Sequence, residues 1–119
     1  MNNFCVAKKE LIEQIEQPQH LFAETLAFID AWFDFSPSRF NNNGLVNKET
    51  ENHGSAKIFA LALQLNLSKQ QTLLCFGEHY RNLALSPDNS HLNIRRLINA
   101  DLAGIAFDNF PLRARSAAT

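Results

Sequence analysis

The sequence has few cysteines, almost no net charge and no long apolar run, and each shortage excludes a class of protein. Its two cysteines, Cys5 and Cys75, form no CxxC pair, which indicates a reduced intracellular protein rather than a disulfide scaffold. A formal net charge of −1 argues against an electrostatic nucleic-acid binder. Because no apolar run approaches the roughly 18 residues that a transmembrane helix needs, we expect no membrane partner.

The N-terminal residues 1–9 also lack the apolar segment that a cleavable secretory signal requires. We therefore expect a cytoplasmic protein in the producing cell. Export by a route that needs no such signal, including a type III system, stays open.

What the sequence does contain is phenylalanine, which occurs 10 times, whereas tryptophan and tyrosine occur once each. Hydrophobic residues make up 45% and charged residues 19% of the chain, which is typical of a globular protein. The length of 119 residues fits one domain. We expect this domain to span residues 1–112, followed by a flexible tail over residues 113–119 that has little to pack.

The segment Phe28–Gly44 is the most distinctive part of the sequence. Half of its first eight residues are aromatic, and it then breaks at Pro37 and ends in an Asn-Gly turn. This order predicts a helix that gives way to an extended piece and then to a loop. We expect Phe35 and Phe40 to anchor the extended piece beside a strand over residues 105–107.

Apolar spacing and capping residues predict about five helices. Ser68 and Gln71 form a capping box, which predicts that a helix begins there. The predicted helices run from about Cys5 to Gln17, from about Leu21, from Ser55 as a cap, from Ser68 through Leu83, and from Ser90 as a cap.

Short strands are predicted near the C-terminus. Ile105–Phe107 reads as a strand, and Asp108-Asn109 suits a two-residue hairpin turn toward Phe110–Leu112. Since helices and strands do not alternate, the pattern favours an α+β fold. We expect about five helices packed with a small sheet of two or three short strands.

Four polar constellations are candidate sites. The first is Gly54–Lys57, where a helix start and a lysine can hold an anion; an ordinary cap with a solvated lysine is the alternative. The second is the run from Glu78 to Arg81, which offers acid, base and anion-binding groups. There Cys75 and His79, spaced i, i+4, can form a nucleophile pair or half a zinc site. A buried cysteine beside an exposed histidine is the simpler interpretation.

The third constellation is His91 and Arg95, spaced i, i+4, which suits either an anion or a solvated helix surface. The fourth is the polar loop 41–54, which is rich in asparagine and includes Asn43. Turn chemistry explains most of these asparagines, and a binding loop is the alternative. No complete metal-ligand set, cofactor motif or catalytic triad is evident.

Several motifs, taken in order, resemble those of the HopJ type III effector family. The resemblance extends from about Leu11 to Leu112, and it departs at Asp88-Asn89-Ser90 and at Asp101-Leu102, where the family often has glycine and Gly-Trp. The matching motifs are residues 28–44, 52–60, 71–73, 76–81, 91–95 and 104–107.

This resemblance implies a small α+β domain, loosely barrel-like, and a bacterial virulence protein delivered by type III secretion. It implies no established activity, cofactor or catalytic set. We interpret the chain as a small interaction or ligand-binding domain, with a host protein as its partner if it is exported. The alternative is an enzyme or binder of a small anionic metabolite, with a cleft built from the 41–54 loop and predicted helices 3 and 4. The candidate ligand-binding residues are Asn43, Ser55, Lys57, Glu78, Tyr80, Arg81, His91 and Arg95.

Overall fold

The computed structural model describes residues 3–115, and over this range it confirms the predicted α+β fold with six α-helices rather than five. The helices are α1 Asn3–Ile15, α2 Phe22–Trp32, α3 His53–Leu65, α4 Lys69–Leu74, α5 Glu78–Arg81 and α6 Leu92–Ile98. Two 3₁₀ turns cover Leu83–Leu85 and Leu102–Gly104. The strands are β1 Phe33–Phe35, β2 Phe40–Asn42, β3 Leu45–Asn47, β4 Ile105–Phe107 and β5 Leu112–Ala114.

The strands form two small antiparallel sheets. β1 pairs with β5, and β2 lies between β3 and β4 in the second sheet. The pairing of Phe40 with Phe107 confirms that this part of the extended piece lies beside residues 105–107, whereas Phe35 pairs with Leu112 of β5. Over residues 3–115 the strands close no barrel, so the barrel-like expectation is wrong.

The predicted hairpin at Asp108-Asn109 is also wrong. The backbone N–H groups of these residues donate to Arg39 O (3.0 Å) and Ser38 Oγ (2.9 Å). The chain therefore runs along residues 36–39 and delivers β5 to β1 instead of folding back on β4. This route satisfies the turn's polar groups with partners far away in sequence.

Strand β5 spans Leu112–Ala114 and so extends into residues 113–119, which are predicted to form a tail. Arg113 and Ala114 pair with Asp34 and Phe33, and the Arg115 guanidinium forms an ion pair with Asp34 (2.9 Å). Residues 116–119 of the predicted tail lie outside the described residues.

Left-handed residues, rather than the predicted serines, precede α3 and α6. Asn52 (φ 54°) comes before α3 and His91 (φ 50°) before α6, so the expected caps at Ser55 and Ser90 are wrong. By contrast, the capping box is confirmed: Ser68 Oγ accepts from Gln71 N (3.0 Å), and Gln71 Oε1 accepts from Ser68 N (2.9 Å). The predicted fourth helix divides at Gly77 (φ 56°) into α4 and α5.

Helix α3 lies in the centre of the core, as its nearly continuous apolar sequence predicts. Ile58, Phe59 and Leu61 are fully buried. The Phe59 ring packs edge-on against Phe40 of β2 and Phe76 after α4, with centroids 6.1 and 5.7 Å apart. The core thereby joins the three-stranded sheet to the helices that carry the polar motifs.

Candidate functional site

Two clefts flank the start of α6, and the candidate residues divide between them. The first, called here the histidine cleft, has a volume of about 390 Å³ and contains Ser55 and His91. The second, called here the arginine cleft, has a volume of about 550 Å³ and contains Asn43 and Arg95. Leu92 lines both clefts. Of the eight candidates, the other four line neither of these clefts: Lys57, Glu78, Tyr80 and Arg81.

The histidine cleft has an aromatic floor. Phe22 of α2 and Phe76 lie nearly parallel, with ring centroids 6.1 Å apart. Gly54 permits this arrangement, because a Cβ at that position would lie 2.6 Å from the Phe22 ring. The first turn of α3, which carries Ser55, therefore sits directly over the floor.

Two imidazoles form one wall of this cleft. The rings of His79 on α5 and His91 before α6 stack with centroids 4.9 Å apart and planes 29° apart. His79 also packs edge-on against Phe22, at 4.8 Å. The ring nitrogens of both histidines have no hydrogen-bond partner among residues 3–115. Sequence reasoning grouped His79 with Cys75 and missed this pair, because the irregular segment between α5 and α6 brings the two rings together.

Of the two stacked imidazoles, that of His91 is neutral near pH 7. Burial lowers the pKa of His91 below its usual value of 6.5, and the nearby positive charges of His79 and Arg95 lower it further. No Asp or Glu is present among the described residues that line the histidine cleft. The cleft thus offers polar donors without a competing anion.

Cys75 takes no part in a nucleophile pair or zinc site. Its side chain is fully buried, and burial raises the pKa of its thiol to about 12, so the thiolate is absent at neutral pH. The helix breaks between Cys75 and His79, which removes the i, i+4 geometry. Over residues 3–115, no three metal-ligating side chains cluster. The interpretation of Cys75 as a small core residue is therefore the right one.

Glu78 and Arg81 secure the start of α2. Glu78 Oε1 accepts from the backbone N–H of Phe22 (2.7 Å), and Arg81 donates to the carbonyl oxygen of His20. Burial alone would raise the pKa of Glu78, but backbone hydrogen bonds and the charges of His79 and Arg81 lower it. These two side chains hold the Phe22 floor beneath the cleft.

The remaining candidates outside the clefts contact neighbouring elements. Lys57 forms an ion pair with Asp30 of α2 (2.9 Å) and lies over the Phe35 ring. Tyr80 is half-buried against the core.

Arg95 fastens the segment between α5 and α6. Its guanidinium donates to four backbone carbonyl oxygens, at distances from 2.8 to 3.2 Å; the acceptors belong to Leu83, Ser86, Pro87 and Ser90. Asp88 and Asn89 of this segment line the two clefts. Arg95 therefore positions one wall of each cleft.

Three asparagines of this region are buried, and they form a network that turn chemistry does not predict. Asn42, Asn47 and Asn93 are each no more than 5% exposed. Asn47 Oδ1 accepts from Asn93 Nδ2 (2.8 Å) and Asn52 Nδ2 (2.6 Å), while Asn93 Oδ1 accepts from Asn42 Nδ2 (3.1 Å). Asn43 extends the network by donating to Asn42 Oδ1 (2.9 Å). The amides join the β2–β3 hairpin to α6, whose residues line both clefts.

His20 belongs to a second hydrogen-bond network, in which His20 and Thr25 are fully buried and Gln14 is partly buried. His20 Nε2 lies 2.6 Å from Thr25 Oγ1, whose hydroxyl donates to Cys75 O (2.8 Å). Thr25 Oγ1 must therefore accept from Nε2–H, and Nδ1 accepts from Gln14 Nε2 (3.0 Å). These contacts select the neutral imidazole. Burial lowers the pKa of His20, although the carboxylate of Glu24 opposes this shift.

We expect the free energy of unfolding to fall as the pH drops below about 6.5. The unfolded chain protonates His20 near its usual pKa of 6.5, whereas the folded state resists protonation because its pKa is lowered. The unfolded state then binds more protons, so stability is complete above pH 6.5 and is lost progressively below it. Urea titrations at pH 7.5 and 5.5 measure the loss. A His20→Gln variant should show a smaller difference between the two pH values, and an NMR titration giving His20 an ordinary pKa would contradict the prediction.

The fold thus defines a small α+β protein with two clefts beside α6. Residues 8–112 match the family model for the HopJ type III effector protein, so the chain belongs to the HopJ family, as its motifs predict. The crystal structure of VPA0580, a protein of unknown function, is similar, with a TM-score of 0.81 and 37% sequence identity; the match covers 90% of this chain and 92% of that chain. A comparison with curated proteins found no match. Across residues 3–115, every helix is too short or too polar to cross a membrane.

Proposed function

We propose that this chain is a type III effector-like protein that binds a small anionic ligand in the histidine cleft. The observation that carries the proposal is the stacked pair of His79 and His91, whose rings lie 4.9 Å apart over an aromatic floor. Imidazoles that lack protein partners and face a cavity are able to donate hydrogen bonds to a ligand.

Other groups around the pair favour an anion. Helix α3 begins at His53 without a side-chain cap, so its first backbone N–H groups have no acceptor within the helix. The positive end of the helix dipole adds to this preference. Ser55, in the same turn, contributes a hydroxyl. No carboxylate is present among the described residues that line the cleft, which reduces the repulsion of a phosphate or carboxylate there.

Protonation links ligand binding to pH. His91 is neutral near pH 7 because its pKa is lowered, and a bound anion favours its charged form. Binding is therefore expected to take up a proton. The affinity should rise as the pH falls toward the range in which His91 titrates.

The backbone at His91 suggests a variant that separates ligand binding from folding. Its left-handed conformation (φ 50°) is one that asparagine adopts readily. Asparagine at position 91 therefore keeps the backbone geometry and removes the imidazole.

We expect His91→Asn to weaken the binding of inorganic phosphate about tenfold, because a charge-assisted hydrogen bond contributes about 1.5–3 kcal/mol. The free energy of unfolding should change by less than about 0.5 kcal/mol. Phosphate titrations followed by NMR or calorimetry measure the affinity. His53→Asn is the matched control, since the His53 imidazole bonds Glu49 O at 2.7 Å outside the cleft. Equal phosphate affinity in wild type and His91→Asn would refute the proposal.

Membership of the HopJ family supports the effector half of the proposal, in which a bacterial type III system exports the protein to meet a host partner and act in virulence. A reporter enzyme that is active only in host cytoplasm, fused to the C-terminus, tests export directly. Reporter activity that requires an intact secretion system is the expected result. A signal that is absent, or that persists without the secretion system, would remove the effector role and leave ligand binding to be judged by the phosphate titration.

A further inference from the structure

We propose that the arginine cleft is a second subsite for the same ligand, and that Arg96 holds a second anionic group there. The ligand class is then an elongated molecule with an anionic group at each end. This inference rests on the proposed function, because the histidine cleft holds the first anionic group.

The two clefts are adjacent, because Leu92 lines both. Leu92 is 50% exposed, so it offers an apolar surface between two polar ends. The clefts measure about 390 and 550 Å³, within the range of about 300–1,000 Å³ typical of sites for drug-sized ligands. A single phosphate or carboxylate would occupy only part of this space.

Arg96 has fewer protein partners than the other described cations beside the arginine cleft. Arg95 donates to four backbone carbonyl oxygens, and Lys69 donates to the carbonyl oxygens of Ile98 and Ala100. Within residues 3–115, Arg96 has no carboxylate partner and one hydrogen bond, from its Nη1 to Asn43 O (3.1 Å). That bond orients the guanidinium and leaves further N–H donors for a carboxylate or phosphate.

The surroundings of Arg96 are held in place. Asn43 Nδ2 donates to Asn42 Oδ1 and to Asp101 O (3.0 Å), which fixes the carbonyl that Arg96 contacts. Asp88 is the one carboxylate among the described residues that line the arginine cleft. The negative charge of Asp88 repels an anion from the part of the cleft next to Asp88. An anion in this cleft is therefore expected to bind beside Arg96.

Helix α6 sets the axial spacing of the two residues that carry the anion-binding groups. His91 immediately precedes the helix and Arg96 lies in its body, so the two residues are about 7.5 Å apart along the axis at 1.5 Å per residue. A linear dicarboxylate can place one carboxylate near each group and its methylene chain over Leu92.

Dicarboxylates and monocarboxylates of equal chain length test the inference. The pairs are adipate with hexanoate, suberate with octanoate, and sebacate with decanoate. We expect at least one dicarboxylate to bind about tenfold more tightly than its monocarboxylate partner. Arg96→Gln should abolish that advantage and leave monocarboxylate affinity unchanged.

Arg113→Gln is the matched control, because it removes the same charge from an exposed residue of β5. The inference is overturned if no dicarboxylate exceeds its partner, if the advantage survives Arg96→Gln, or if Arg113→Gln reduces it equally. The phosphate titration of His91→Asn tests the first subsite separately. If phosphate binding does not depend on His91, the proposed function fails; if it does and the dicarboxylate advantage is absent, only the role of Arg96 fails.

Discussion

Replacing Asn47 by aspartate is expected to lower the free energy of unfolding by about 3 kcal/mol or more, although the two side chains have the same shape. Asn47 is 1% exposed, and its Nδ2 donates to Leu45 O (3.1 Å) and Asn93 Oδ1 (3.2 Å). An aspartate places an oxygen where that donor was, facing two other oxygens. A buried group left unsatisfied costs about 1–3 kcal/mol, and a charged one costs more.

Asn41→Asp is the matched control for this substitution. Asn41 Oδ1 accepts from Gly44 N (2.7 Å) at the tip of the same hairpin, and aspartate retains that acceptor. We expect a change within about 0.5 kcal/mol for this variant. Urea denaturation of both proteins at pH 7.5 measures the difference, and equal stability of the two variants would contradict a structural role for the buried amides.

Asn47→Asp should also affect the clefts. Asn93 and Asn43 line the histidine and arginine clefts respectively, and both belong to the same amide network. We expect the folded fraction of the variant to bind phosphate more weakly, because the hairpin loses its tie to α6.

Sequence patterns predicted the elements whose signals are local. The capping box at Ser68, the strand Ile105–Phe107 and the central helix α3 each depend on neighbouring residues, and all three are confirmed. The hairpin at Asp108-Asn109 failed because Ser38 and Arg39, far away in sequence, supply the hydrogen bonds that decide the path of the chain.

The candidate site was harder to predict for the same reason. The sequence indicated Ser55 from its position at a helix start and His91 from its i, i+4 spacing to Arg95. It did not pair His91 with His79, since an irregular segment held by Arg95 brings the rings together. Periodicity describes which residues share a helix face, and it carries no information about contacts made across such a segment.

Gly77→Ala is expected to be the more damaging of two glycine substitutions, lowering the free energy of unfolding by about 4 kcal/mol or more. A Cβ on Gly77 would lie 2.5 Å from Phe22 N, 2.8 Å from Leu21 C and 2.9 Å from His20 O. All three are backbone atoms, so no side-chain rotation relieves the contact. The left-handed φ of 56° adds about 1–2 kcal/mol for any residue with a Cβ.

Gly44→Ala separates the steric cost of an added Cβ from the conformational cost of a positive φ. Gly44 also has a positive φ, of 97°, but the nearest atom to an added Cβ is Arg96 Nη1 at 3.7 Å, an ordinary contact. This variant should lose only the conformational part, about 1–2 kcal/mol. Thermal and urea denaturation measure both, and equal losses would mean that α2 moves away from Gly77 at little cost. A larger loss at Gly77 means that the close approach of α2 to α5, which places Phe22 against His79, is a rigid part of the fold.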